Sequence, residues 1–176
     1  MIEKAVIIPT GDEILNGTVV DTNSPVIMGI ILEKFPGCEI KREKPVIDEE
    51  NDIIERLEKV LQEKPDLIIL IGGTGGGHRY IPALAGDFTH SALMKALPRA
   101  SYRELFGSNG HLWSRLTCGE KSGCIVANVP GPYIEATEAT RALIECISNE
   151  VKDMEILVEE VSKAVRKQYS AGGHKI

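Results

Sequence analysis

Aromatic and basic residues are both in short supply in this chain of 176 residues. Aromatic side chains make up only 5% of the sequence, which is few for a platform that stacks successive bases. Acidic side chains outnumber basic ones by 26 to 20, so the formal net charge is -6. Because proteins bind nucleic acid by neutralising phosphates with basic side chains, this balance argues against a nucleic-acid partner.

Paired cysteines and long hydrophobic runs are absent as well. None of the four cysteines (Cys38, Cys118, Cys124 and Cys146) forms a C-x-x-C pair, which argues against a structural zinc site or a thioredoxin-like redox motif. The first apolar segment, Ala5–Ile8, is far shorter than the core of a signal peptide, and no apolar run reaches transmembrane length. We therefore expect reduced thiols, a cytoplasmic location and no membrane partner.

The pattern of hydrophobic residues predicts an α/β fold. Short apolar runs typical of buried strands alternate with segments of helical periodicity. The predicted strands are residues 5–8, 39–47, 67–71 and 124–129, and the predicted helices are residues 24–35, 49–64, 87–97, 134–147 and 151–167. Residues 99–115 are predicted to be irregular. This alternation predicts a three-layer αβα domain with a mainly parallel sheet, spanning residues 1–169 and followed by a flexible tail at 170–176.

The last predicted helix carries a narrow apolar seam. Its members recur at a spacing of three and four residues: Val151, Met154, Val158, Val161 and Val165. Such a seam either packs on the body of the domain or meets another subunit. The sequence leaves both alternatives open.

Loops that suit a ligand follow the predicted strands. In open α/β sheets, ligands bind beyond the carboxyl ends of the strands, and those ends lead here to Thr10–Asp12, Asp48, Gly72–Gly77 and Pro130–Gly131. Gly72–Gly77 has five glycines in six positions, and ordering so many glycines on folding is unfavourable in backbone entropy. Such a run is expected where several backbone amides have to turn towards a bound anion. The run is neither a Walker A loop nor a G-x-G-x-x-G motif. A flexible surface loop is the alternative.

Three acidic residues, Asp12, Asp48 and Asp87, fall at predicted loop–helix junctions on the same edge. One such residue is commonly only a helix N-cap. Several beside a phosphate-binding loop would instead hold Mg²⁺, which prefers oxygen ligands shared with substrate phosphates. The locally basic stretch that contains Arg115 either faces an anionic ligand or is a solvated loop, and Trp113 is expected to be a packing residue.

Several motifs follow one another along the chain: Thr10–Leu15 with Gly17 and Asp21–Asn23, then Asp66–Gly75, then Ser114–Arg115 with Gly119, and Val129–Gly131. In this order they resemble the molybdopterin-binding domain of molybdenum-cofactor biosynthesis enzymes and competence-damage-inducible proteins. The likeness covers roughly residues 5–147. The family normally has Arg-Asp soon after its glycine loop, whereas Tyr80 follows Arg79 here. We interpret Tyr80–Gly86 as an insertion that shifts the family's acidic position to Asp87.

The resemblance implies an enzyme that adenylates the phosphate of molybdopterin with Mg-ATP. It implies that Asp48 and Asp87 are catalytic and hold Mg²⁺. The substrate-binding residues that it implies are Thr10, Gly11, Asp12, Gly72, Gly73, Thr74, Gly75, Ser114, Arg115, Pro130 and Gly131. It also implies a homo-oligomer, with a trimer favoured. Two alternatives stay open: a module that binds molybdopterin or a nucleotide without turnover, and a nucleotide-hydrolysing relative of the competence-damage type.

Overall fold

The protein forms one six-stranded sheet with helices on both faces. A computed structural model describes residues 1–75, 87–107, 110 and 112–171, with side chains described as far as residue 168. The strands are β1 (Lys4–Pro9), β2 (Glu39–Arg42), β3 (Leu67–Ile71), β4 (Arg99–Phe106), β5 (Leu112–Lys121) and β6 (Cys124–Val129). The helices are α1 (Asp12–Leu15), α2 (Asn23–Lys34), α3 (Glu50–Leu61), α4 (Thr89–Ala96), α5 (Tyr133–Ser148) and α6 (Met154–Ala171).

The order of strands in the sheet is β2-β1-β3-β6-β5-β4. The first four strands in this order run parallel, and β5 and β4 are antiparallel to their neighbours. Because neighbouring residues of a strand face opposite sides, β1 sends Ile7 into the core under α2, α5 and α6, and Ile8 into the core under α3 and α4. The predicted three-layer αβα fold with a mainly parallel sheet is confirmed.

The prediction of irregular structure for residues 99–115 is wrong. Residues 99–106 form β4 and residues 112–115 form the first part of β5, and the two strands pair antiparallel at one edge of the sheet. Most side chains of β4 are exposed or only partly buried, so the strand lacks the apolar run by which buried strands are recognised. The predicted strand 39–47 is also too long, since β2 ends at Arg42 and only Val46 makes a further bridge, with Thr10.

The apolar seam of the last helix packs inside the chain. Met154, Val158, Val161 and Val165 are buried in the core beneath α2 and α5, and Val151 packs against the same cluster. The seam therefore supplies no contact surface for another subunit, and the trimer stays a prediction from the family resemblance. No helix in the described ranges is long and apolar enough to cross a membrane.

Candidate functional site

A pocket of about 440 Å³ opens beyond the carboxyl ends of β1, β3 and β6. The N-terminal ends of α2 and α5 form its sides, and the loop Gly72–Gly75 that follows β3 forms part of its wall. The predicted site residues that line it are Thr10, Gly72, Gly73, Thr74, Gly75, Asp87, Pro130 and Gly131. The structure thus brings together residues from four separate segments, as expected where parallel strands end side by side.

The loop after β3 is held through its carbonyl groups. The hydroxyl of Thr89 donates to the carbonyl oxygen of Gly73 at 2.6 Å and lies 3.1 Å from that of Gly72. The amide of Thr89 also donates to Gly73, at 3.1 Å, and the amide of Arg115 donates to the carbonyl of Thr74 at 2.7 Å. Three successive carbonyl groups of the loop therefore face the protein interior.

The direction of these carbonyls fixes the direction of the amides that follow them. All peptide bonds of the described chain are trans, and in a trans peptide the N–H points away from the preceding C=O. The N–H groups of Gly73, Thr74 and Gly75 therefore point away from Thr89 and Arg115. Gly72 and Gly73 reach this arrangement with φ values of +90° and +62°, which disfavour any side chain. Successive amides directed to one side are suited to binding an anion.

Asp48 lies directly behind this loop. Its side chain is fully buried, and its Oδ1 accepts a hydrogen bond of 2.9 Å from the amide of Phe88. A Cβ placed on Gly73 would lie 2.6 Å from that Oδ1 and 2.7 Å from the other carboxylate oxygen, so the close approach requires glycine. Asp48 does not line the pocket, and it does not cap α3, which begins at Glu50 without a side-chain cap.

Asp87 is the predicted catalytic carboxylate that does line the pocket. A Cβ placed on Gly75 would lie 2.7 Å from Oδ2 of Asp87, so this carboxylate packs against the end of the loop. The remaining acidic residues that line the pocket are Glu13, Asp21 and Glu135. Asp12 lies in α1, partly buried and outside the pocket lining.

Asp21 joins the pocket to α2 and to β2. Its carboxylate accepts hydrogen bonds from the amide and hydroxyl of Ser24 at 2.9 and 2.6 Å, and from Nε of Arg42 at 2.8 Å. Burial pushes the pKa of Asp21 upwards, but the hydrogen bonds from Ser24 and the Arg42 guanidinium outweigh burial and hold the pKa below its ordinary value. Asp21 is therefore a charged and fixed part of the pocket rim.

Three other predicted site residues lie outside the pocket lining. The guanidinium of Arg115 forms an ion pair with Glu104 of β4, with Nε 2.8 Å from the carboxylate. Arg115 contacts the loop through its backbone amide, which donates to the carbonyl of Thr74. Ser114, the preceding residue of β5, faces the other side of the strand and is only 2% exposed. Gly11 binds the carbonyl of Val46 through its amide. Their predicted roles in binding substrate stay predictions.

Asn128, near the end of β6, is a site residue that the sequence reasoning missed. It is fully buried, and its Nδ2 donates to Oγ1 of Thr89 and to the carbonyl of Arg115, both at 3.0 Å. Its Oδ1 accepts from the amide of Thr117 at 2.6 Å. Asn128 thus ties together the two residues that hold the loop. The available signal was a polar residue inside an otherwise apolar strand, directly before Val129 and the Pro-Gly turn.

A half-buried histidine extends this network away from the pocket. His90 of α4 places Nδ1 2.9 Å from the hydroxyl of Thr117, and its ring meets Tyr102 edge-on at a centroid distance of 4.9 Å. Burial lowers the pKa of His90 below its ordinary value, and the positive charge of Arg115 lowers it further, against a smaller opposing effect of Glu104. Folding therefore favours the neutral form of the imidazole.

Two aromatic residues of the pocket were also missed. Trp113 of β5 and Tyr133 of α5 both line it, with 37% and 51% of their surface exposed. Trp113, expected to be a packing residue, also lines the pocket, because β5 begins at the pocket edge. Predictions for Gly76, Gly77 and the Tyr80–Gly86 insertion lie outside the described residues.

The described residues fit Mg²⁺ only when a ligand shares it. Within the described ranges, no group of three or more His, Cys, Asp or Glu side chains is placed to hold a metal ion. Mg²⁺ commonly binds through one or two carboxylates together with substrate phosphates, and Asp87 beside Gly75 fits that arrangement. Asp48 would reach such an ion only if the loop in front of it moved.

Known proteins share sequence similarity or this fold with the chain. A family described as "Probable molybdopterin binding domain" matches residues 6–149. A protein of Pyrococcus abyssi is 38% identical over 96 residues, which cover 54% of this chain and 34% of that relative, so the chain spans about a third of the length of such curated relatives.

Two solved structures resemble the whole domain. The molybdopterin biosynthesis enzyme MoaB from Thermus thermophilus superposes with a TM-score of 0.61 at 21% identity, over 94% of this chain and 98% of that one. The protein CinA from Thermoplasma acidophilum, whose function is unknown, gives 0.59 at 20% identity, over 85% and 98%. At these identities the likeness concerns the fold, and the family follows from the sequence match. The chain belongs to the molybdopterin-binding domain family.

Proposed function

We propose that this chain binds molybdopterin by its phosphate in the pocket and adenylates that phosphate with Mg-ATP. The observation that carries the proposal is the fixed direction of three successive peptide groups in Gly72–Gly75. Their carbonyls are held by Thr89 and Arg115, so their amides face the other way. Amides fixed in advance bind an oxyanion without reorganisation, as transfer of a phosphoryl or nucleotidyl group requires.

The reaction joins a phosphate oxygen of molybdopterin to the α-phosphorus of ATP and releases pyrophosphate. Bound Mg²⁺ would neutralise charge on the phosphates. In this proposal the amides of Gly73, Thr74 and Gly75 hold phosphate oxygens, and Asp87 orients the metal-bound end of the nucleotide. Catalysis of this kind depends mainly on position and charge, which a rigid loop and one adjacent carboxylate supply.

The charge of the pocket supports a ligand that arrives as a metal complex. Among its described lining residues four are acidic, namely Glu13, Asp21, Asp87 and Glu135, and none is lysine or arginine. A bare polyphosphate would be repelled by this lining, whereas its complex with Mg²⁺ brings its own positive charge. This favours a magnesium nucleotide over a free anion.

A second candidate is a module that binds molybdopterin without turnover. The observation that favours it is the enclosure of Asp48, one of the two predicted catalytic carboxylates, behind the loop and against the amide of Phe88. A carboxylate in that place stabilises the loop whether or not chemistry follows. Hydrolysis of a nucleotide, the third alternative, rests on the Thr10–Leu15 motif.

The deciding experiment supplies purified molybdopterin and Mg-ATP and measures both pyrophosphate and adenylated molybdopterin. We expect turnover by the wild type and a loss of about 100-fold or more in Asp87→Asn and in Asp48→Asn, because each change removes a charge near the phosphates. Asp48→Asn keeps an oxygen for the amide of Phe88, so the fold should persist. Asp52→Asn, an exposed carboxylate of α3, is the matched control and should keep the wild-type rate.

Three other results would contradict the proposal in different ways. Binding of molybdopterin without pyrophosphate release would establish the binding module. Release of nucleotide products in the absence of molybdopterin would establish the hydrolase. Turnover that is unchanged in both Asp48→Asn and Asp87→Asn would remove these carboxylates from the chemistry, and with them the interpretation of Tyr80–Gly86 as an insertion.

A further inference from the structure

The two aromatic residues of the pocket lie at different ends of the loop that follows β3. Trp113 is at the Gly75 end, where a Cβ placed on Gly75 would lie 3.9 Å from the carbonyl oxygen of Trp113. Tyr133 is at the Gly72 end, because it follows the Pro-Gly-Pro turn in which a Cβ placed on Gly131 would lie 3.9 Å from Cα of Gly72. The loop therefore runs from one aromatic residue towards the other.

Both residues are partly exposed in the pocket, although the chain is poor in aromatic residues. Trp113 is 37% exposed and Tyr133 51% exposed, and both belong to the pocket lining. Aromatic side chains at a pocket wall offer flat faces on which planar heterocycles stack, largely independent of the charge of the ligand. This is the kind of attraction that an acidic pocket without described basic residues can supply.

We propose that Trp113 and Tyr133 form two aromatic subsites, one at each end of the loop, that stack the two planar heterocycles of a ligand whose rings are joined through phosphates. This inference rests on the proposed function, in which a pterin and an adenine are both attached to phosphate groups on the loop. It goes further by assigning ring recognition to two residues of this chain. The amides of Gly73–Gly75 hold the phosphates between the rings.

The chain provides its own reporter for the first subsite. Trp113 is its only tryptophan, so the intrinsic tryptophan fluorescence comes from this position alone. A heterocycle stacked on the indole should quench that emission, whereas a ligand without a ring should not. Three probes, each supplied with Mg²⁺, are compared: ADP, which carries an adenine, 6-hydroxymethylpterin phosphate, which carries a pterin, and inorganic pyrophosphate, which carries no ring.

Variants separate stacking from binding of phosphate. We expect Trp113→Ala to weaken binding of one ring-bearing probe about tenfold and Tyr133→Ala to weaken the other about tenfold, measured by titration calorimetry. Trp113→Phe and Tyr133→Phe keep a ring and should retain most of the affinity. Pyrophosphate should bind all variants alike. Phe106→Ala is the matched control, because Phe106 is 56% exposed on the neighbouring strand but does not line the pocket.

Several results would overturn the inference. One is that neither ring-bearing probe binds, or that neither quenches the fluorescence at saturating concentration. Another is that the alanine variants lose as much affinity for pyrophosphate as for the ring-bearing probes. A third is that Phe106→Ala weakens binding of the ring-bearing probes as much as Trp113→Ala or Tyr133→Ala does. The proposed function fails separately from the subsites. If no adenylation is detected but both probes bind in a ring-dependent way, the subsites stand and the adenylyltransferase does not.

Discussion

Gly73→Ala is the substitution that tests the packing behind the loop most directly. Gly73 has a φ of +62°, and a Cβ there would lie 2.6 and 2.7 Å from the carboxylate oxygens of Asp48 and 2.7 Å from Cγ2 of Thr89. The left-handed conformation costs alanine about 1 kcal/mol. Forcing a methyl group between two packed side chains costs about 2 kcal/mol more.

The expected total is a loss of about 3 kcal/mol in the free energy of unfolding, which lowers Tm by about 6–12 °C for a domain of this size. The matched control is Gly17→Ala. Gly17 has a similar φ of +79°, but a Cβ there would meet nothing within 4 Å. It should therefore lose only the conformational part, about 1 kcal/mol or about 2–4 °C.

Thermal and urea unfolding of both variants gives the comparison, and a double-mutant cycle with Asp48→Ala identifies the contact. In the Asp48→Ala background, the cost of Gly73→Ala should fall but not vanish, because Cγ2 of Thr89 stays close. Equal losses for Gly73→Ala and Gly17→Ala would refute the reasoning. They would show that the close packing of Asp48 against Gly73 is not what requires glycine at this position.

Three further outcomes follow from the buried groups. Asn128→Ala should lower the free energy of unfolding by about 2–4 kcal/mol, because the buried amide of Thr117 and the buried carbonyl of Arg115 lose their hydrogen-bond partner. It should also weaken pyrophosphate binding, because Thr89 loses the hydrogen bond that positions it against the loop. Denaturant unfolding measures the first effect and titration calorimetry the second. The pKa of His90 is lower in the folded state than its ordinary value of 6.5 in the unfolded chain, so the unfolded state binds a proton more readily. The free energy of unfolding should therefore be unaffected by His90 above pH 6.5 and should decrease as the pH falls below it. His90→Gln should remove that part of the pH dependence of unfolding. Burial raises the pKa of Cys118 and of Cys124 to about 12, so a maleimide at pH 8 should label neither until denaturant is added.

The central part of the fold was predictable because its strands are marked locally. Leu67–Ile71 is buried on both faces, and a strand of that kind reads as an uninterrupted apolar run. Helix α3 shows its buried face in the spacing of Ile53, Leu57 and Val60. The sheet edge to which these strands lead was therefore predictable too, and eight of its predicted site residues line one pocket.

The rest depends on contacts that the local sequence does not contain. β4 was missed because this edge strand carries mostly exposed or partly buried side chains and has no apolar run. Asp48 has the position of an N-cap, yet its partner is the amide of Phe88, 40 residues further along the chain. The roles of Asn128 and Trp113 likewise follow from the pairing of β5 with β6 and from where β5 begins.

The place of β6 in the sheet has a consequence for synthesis of the protein. β6 is the last strand to be made, yet it lies between β3 and β5. A nascent chain therefore exposes one backbone edge of Leu67–Ile71, five consecutive aliphatic residues, until Val129 has left the ribosome. At about 5–20 residues per second this interval lasts about 3–12 s. Uncovered aliphatic edges pair readily with other chains, so during these seconds the finished fold does not yet protect this strand.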